Sequence, residues 1–109
     1  MEVTEGRSGD VTTLRIVGRV DSSVSRLLEQ KVLDVVTRDD RIVVDVREMK
    51  YVSSAGLRSF VALARHARAK GRTIGLTGMH EDVIEIFEIS GLLSLFVVYD
   101  SVEAAIASR

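Results

Sequence analysis

Apolar residues recur along this chain in two rhythms. In "VTTLRIV", Val11 to Val17, they alternate loosely and are β-branched, which predicts a strand that Gly18 ends. Glu2 to Glu5 is short enough to pair with it as an edge strand across the turn "GRSGD". From Val24 the rhythm becomes helical. Val24, Leu27, Leu28, Val32, Val35 and Val36 share one face, and Arg26, Glu29, Gln30 and Lys31 share the other. Ser22 or Ser23 is placed to cap this helix, and "TRDD" closes it. "RIVVDV", Arg41 to Val46, is a continuous apolar run with one Asp, the pattern of a central strand covered on both faces. "REMKYV" then leads into a second helix over residues 54–70. Leu57, Phe60, Val61, Ala64 and Ala67 face inward there, and Gly71 provides the stop. "RTIGLTG" predicts a short strand. "HEDVIEIFEIS" predicts a helix with Val83, Ile84 and Phe87 inward, ending near Gly91. "LFVVYD" is a last strand, and "SVEAAIASR" a terminal helix with Ser101 as cap and Glu103 in its first turn.

The resulting order is β-β-α-β-α-β-α-β-α. Strands alternating with helices predict an α/β fold, with a mixed, mostly parallel sheet, about four helices and an antiparallel N-terminal edge. Sites on such sheets favour the carboxyl ends of strands, and "YVSSAGL" lies just beyond the third one.

Length and composition narrow the function. A chain of 109 residues suits one domain, 1–109, and buries roughly two-thirds of its unfolded surface. With 46% hydrophobic and 28% charged residues it has the mix of an ordinary soluble domain. A net charge of -1 argues against nucleic acid as a partner. No apolar stretch approaches the ~20 residues of a membrane span, and the polar start "MEVTEGRSGD" is unlike a secretory signal, so a cytoplasmic location is expected. Without cysteine there are no thiolate sites, and His66 and His80 fall in different predicted elements, so neither a metal nor another cofactor is expected. No nucleophile–base pair stands at recognisable spacing and no phosphate-binding loop motif is present, so no catalytic residue is assigned. The basic residues Arg58, Arg65, Arg68, Lys70 and Arg72 form one tempting patch, but Arg65, Arg68 and Lys70 fall in the last turns of a helix, where cations complement the dipole. Asp45 reads as a strand-end carboxylate bonded to a neighbouring loop, and "VIEIFEISGLLSLF" as core interrupted by Glu85 and Glu88.

The segment Ser53-Ser54-Ala55-Gly56-Leu57 supports two readings. In the first, Ser53 or Ser54 is a helix cap worth about 1 kcal/mol, and Ala55 and Gly56 let the helix pack closely. In the second, a hydroxyl at a helix N-terminus, where free N–H groups favour an anion, carries phosphate without unfolding the helix. Phosphorylation adds about -1.5 to -2 charges, a large change on a nearly neutral chain. In this reading Gly56 lets a partner's backbone or nucleotide come close, and Leu57 and Arg58 border the contact. Spacing alone does not separate the two.

"VDVREMKYVSSAGLRSFVALARHARAKG" followed by "VIEIFEISGLLSLFVVYDSVEAAI" resembles the STAS domain of bacterial anti-sigma factor antagonists, and "GRVDSS" sits where that family has its G-x-(L/V)-D segment. The match runs from about Val11 to Ala107. The family motif is Asp-Ser-(Ser/Thr/Ala)-Gly-Leu, with the phosphoacceptor serine two residues before the glycine. The resemblance therefore implies Ser54 as acceptor and Ser53 in the Asp position, with Ser53 as second choice for modification. It also implies a partner-binding surface of Asp21, Ser22, Ser53, Ala55, Gly56, Leu57 and Arg58. The implied mechanism is partner switching. The unmodified protein holds a GHKL-type serine kinase that doubles as anti-sigma factor. Phosphorylation of Ser54 releases it, and a PP2C-type phosphatase resets the cycle. The alternative is a non-switching STAS module, a scaffold subunit of a transporter, lipid-trafficking or stress-signalling assembly. A small enzyme is the third class.

Overall fold

The computed structural model describes residues 1–39 and 41–108. The chain runs β1 (Glu2–Ser8), β2 (Val11–Val20), α1 (Ser25–Arg38), β3 (Arg41–Val52), α2 (Ser54–Ala69), β4 (Ile74–Thr77), α3 (Glu81–Ile89), a 3-10 turn (Leu93–Leu95), β5 (Phe96–Tyr99) and α4 (Val102–Ala107). The element order is the one the apolar pattern predicts, with the 3-10 turn added. The five strands form one sheet in sequential order. β1 is antiparallel to β2, and the remaining neighbours are parallel. The proposed edge hairpin therefore exists, and its strands are longer than the pattern suggests.

Alternation sorts the strand side chains onto two faces. Leu14, Ile16, Ile42, Val44, Val46, Ile74, Leu76 and Phe96 join the main core with Leu28, Val32, Val35 and Val36 of α1, Phe60, Leu63, Ala64 and Ala67 of α2, and Val83 and Phe87 of α3. Val11, Val43 and Ala105 of α4 form a small cluster of their own. Gly75 lies beneath Tyr99, where a Cβ would approach the ring edge to 2.9 Å.

Several sequence-based boundaries are corrected. Gly18 does not end β2. It adopts φ +96°, and the strand continues through a register shift to Val20. β3 does not stop at Val46. It pairs with β4 only as far as Asp45, then continues along β2 to Val52, carried by two register shifts. Leu27 is 59% exposed, because α1 rests on its Leu28, Val32, Val35 and Val36 stripe. Leu63, absent from the predicted inward set, is buried, while Leu57, Val61 and Ile84 are only half-buried. Asp45 is buried, but its partner is not a loop. It accepts from the backbone N–H of Arg47 at 3.1 Å and from that residue's guanidinium at 2.9 Å, two positions along the same strand.

Candidate functional site: the tip of the second helix

The long β2–β3 pairing builds the site. Val20 lies opposite Val52 in the parallel register, and the Ser53 N–H donates to the Val20 carbonyl at 2.8 Å. The connections β2–α1 and β3–α2 thus leave the sheet side by side at the carboxyl ends of their strands. This brings Asp21 and Ser22 next to Ser53 and the start of α2.

The adjacent serines do different jobs. Ser53 is extended (φ -87°, ψ 174°), and its hydroxyl accepts the Gly56 N–H at 3.1 Å. Its carbonyl accepts the Leu57 N–H at 2.8 Å and opens the helix. Ser53 is therefore the cap, and its oxygen is engaged. Ser54 is the first helical residue; its side chain is exposed, and its hydroxyl makes no hydrogen bond among the described residues. No acidic residue occupies the first turn of α2.

Gly56 departs from the expectation of an open approach for a partner. It is buried, and a Cβ there would meet the Val20 carbonyl oxygen at 2.7 Å, Val52 Cγ2 at 2.8 Å and Val20 Cγ1 at 2.9 Å. Its missing side chain lets the helix tip seat on the ends of β2 and β3. Ala55 is half-buried, and Leu57 packs against the main core. Arg58 is exposed, one turn beyond Ser54.

Neither Ser22 nor Ser23 caps α1. The cap position is Val24, with no side-chain bond, because Asp21 organises the turn instead. Its carboxylate accepts the Ser23 N–H at 3.0 Å and the Ser23 hydroxyl at 2.5 Å, and its carbonyl accepts the N–H groups of Val24 and Ser25. The helix opens at Val24, so neither serine stands at the cap position from which a hydroxyl accepts a first-turn N–H. The bonds from Ser23, side chain first and backbone second, hold the Asp21 carboxyl below its ordinary value. Asp21 is thus a fixed negative charge beside the α2 tip.

Three residues outside the predicted set belong to this region. Arg19 stacks over Tyr51 at 4.2 Å from the ring centroid, a cation–π pair at the ends of β2 and β3. The exposed aromatic just before the serines is its only trace in the sequence. Ser59 is buried, and its hydroxyl lies 3.0 Å from the Ser25 carbonyl and 3.2 Å from Glu29 Oε1, tying α1 to the first turns of α2. A serine on the apolar face of α2, beside Phe60, is the signal that marks it.

A cavity of about 310 Å³, lined by Arg41, Arg72, Thr73, Tyr99 and Ser108 among others, lies at the opposite end of the strands, away from the serines. Among the described residues no group of three or more His, Asp or Glu side chains converges as a metal site would require. No helix there is long and apolar enough to cross a membrane.

Residues 3–98 match the family model described as "Mlab, STAS domain". A curated relative, "Putative anti-sigma factor antagonist BtrV" of Bordetella bronchiseptica, is 34% identical over 109 residues, covering 99% of this chain and 94% of its own. This chain belongs to the STAS domain family of bacterial anti-sigma factor antagonists. The fold of this STAS domain is also that of solved relatives. An anti-sigma factor antagonist from Mycobacterium paratuberculosis superimposes with a TM-score of 0.86 at 20% identity, over 96% of this chain and 90% of that one. The Bacillus cell fate determinant SpoIIAA, solved in its phosphorylated form, superimposes with a TM-score of 0.76 at 15% identity, over 99% and 100%.

Proposed function

We propose that this STAS domain, residues 1–109, is an anti-sigma factor antagonist that works as a phosphorylation-controlled partner switch in the cytoplasm, without catalysis of its own. Unmodified, it binds a GHKL-type serine kinase that also serves as anti-sigma factor. Phosphate on Ser54 dissolves that complex, and a PP2C-type phosphatase restores it. Asp21, Ser22, Ser53, Ala55, Leu57 and Arg58 surround the acceptor and form the contact surface, while Gly56 holds the tip in place from beneath.

The observation that carries this reading is the division of labour between the two serines. Ser53 already caps the helix, so the exposed Ser54 hydroxyl is free of structural duty. Modifying it breaks no bond in the fold. Taking a phosphate dianion out of water into an interface costs several kcal/mol of desolvation, enough to lower affinity at least tenfold.

Reconstitution with the cognate kinase tests it. Ser54→Ala should keep binding and lose the mass increment of one phosphate. Ser54→Asp should bind at least tenfold more weakly. Equal affinity of the alanine and aspartate variants, or a phosphate elsewhere than Ser54, would overturn the switch.

A further inference from the structure

We propose that Arg58 is the internal counter-ion of phosphorylated Ser54, a role that rests on the reading of Ser54 as acceptor. Residues four apart on a helix are surface neighbours, with Cβ atoms about 5–6 Å apart. Helical side chains lean toward the N-terminus, so the Arg58 guanidinium covers the turn that contains Ser54. An anion preceding a cation by four residues is the favourable order, and a phosphate on the first residue of α2 also complements the helix dipole.

The surroundings leave this arginine available. Its helical neighbours at three and four residues are Ala55, Ser54, Val61 and Ala62, none of them acidic. Arg58 forms no ion pair among the described residues and is exposed. Arg19, Arg26, Arg65 and Arg68 likewise form no ion pair among the described residues, but of these arginines only Arg58 stands four residues after Ser54 on its helix, whereas five others are already engaged. Arg7 and Arg38 are engaged by Asp39, Arg15 by Glu48, Arg41 by Asp10 and Arg47 by Asp45. Among the described residues the cation beside the acceptor serine has no carboxylate partner, and the first turn of its helix carries none either. A phosphate on Ser54 brings the missing charge, with oxygens that suit a guanidinium fork.

The pairing changes how the switch acts. In the unmodified tip Arg58 is a free donor for an acidic or carbonyl-rich partner. In the phosphorylated tip the same guanidinium is drawn back over the first turn. Modification then removes a positive contact as well as adding a negative one, and the helix end stays closed.

The test uses full-length protein with phosphoserine installed at position 54 during translation, so no kinase is needed. Phosphorus NMR titration of wild type and Arg58→Gln should place the phosphate midpoint about 0.3 pH unit higher in the variant, roughly a twofold change in proton affinity. Arg58→Lys should fall between them. The shift should vanish in high salt, where exposed pairs are screened. Asp21 and Arg19 are common to all three proteins and cancel in the comparison. The Arg58 Nε–H resonance should move on modification in wild type. Identical midpoints in wild type and Arg58→Gln, with an unmoved Arg58 resonance, would overturn the pairing. Failure of the cognate kinase to modify Ser54 would instead sink the switch while leaving this measurement intact.

Discussion

Ser53 and Ser54 are neighbours of one chemical type, yet losing each hydroxyl should have a different result. Ser53→Ala removes the acceptor for the Gly56 N–H, and caps of this kind are worth about 1 kcal/mol. Ser54→Ala removes an exposed hydroxyl that bonds to no described residue, and should change stability by less than about 0.5 kcal/mol. Urea titrations of both variants check the pair. A larger loss at Ser54 than at Ser53 would assign the cap to the wrong residue. This distinction is illegible in the sequence. Both serines sit at the boundary between strand and helix, and only the backbone turn at Ser53 decides which oxygen meets an N–H. Gly56 is similarly ambiguous, because a glycine that admits a partner and one that fits its own strands look alike. The Val20 carbonyl oxygen, at 2.7 Å from where a Cβ would stand, decides it.

At the scale of elements, what the chain spells out is the alternation of strand and helix. It does so because Leu28, Val32, Val35 and Val36 recur at helical spacing and Ile42 to Val46 are apolar but for Asp45. The extent of β3 is not spelled out. Arg47, Glu48 and Lys50 interrupt the apolar run, and the strand persists because β2 continues to pair with it beyond the end of β4. That extension builds the α2 tip, since it delivers Ser53 beside Val20. The third helix is held differently, by the three phenylalanines of the chain. Phe87 lies 5.4 Å from Phe60 and 6.2 Å from Phe96, centroid to centroid, and is fully buried. It joins α3 to α2, on the other side of β4 in the chain, and to β5, the strand that follows it. Phe87→Ala should cost about 3–5 kcal/mol through lost burial and the cavity left behind. Hydrogen exchange should show the largest loss of protection in α3 and β5. A loss below about 1 kcal/mol would mean that the site collapses and the trio does not hold α3.

Across the whole molecule the two ends of the sheet have separate tasks. The carboxyl ends of β2 and β3 present the serines. Near the opposite end, Asp39 closes the fold by joining three elements: it accepts Thr12 Oγ1 of β2 at 2.8 Å, Arg7 of β1 at 3.1 Å and the guanidinium of Arg38 from α1 at 3.0 Å. The Arg38 bonds contribute most and the Thr12 bond next, and together with Arg7 they lower the Asp39 carboxyl from 3.8 to about 2. The native state therefore holds its proton less tightly than the unfolded chain does. The stabilisation from this carboxylate is complete above about pH 4, declines as pH falls below 3.8, and is lost once pH passes through about 2. Asp39→Asn keeps the shape but removes the charge. At neutral pH the variant should be less stable than wild type, and the gap should narrow steadily between pH 4 and pH 2. Urea midpoints at pH 7, 4, 3 and 2 measure it, and a gap independent of pH would show that Asp39 acts by packing rather than charge. Because Asp39 lies away from the α2 tip, the same variant at neutral pH should bind the partner of unmodified Ser54 with wild-type affinity. If its affinity fell as well, the two ends of the sheet would be coupled, and the fold would be more than a rigid support for the serine it displays.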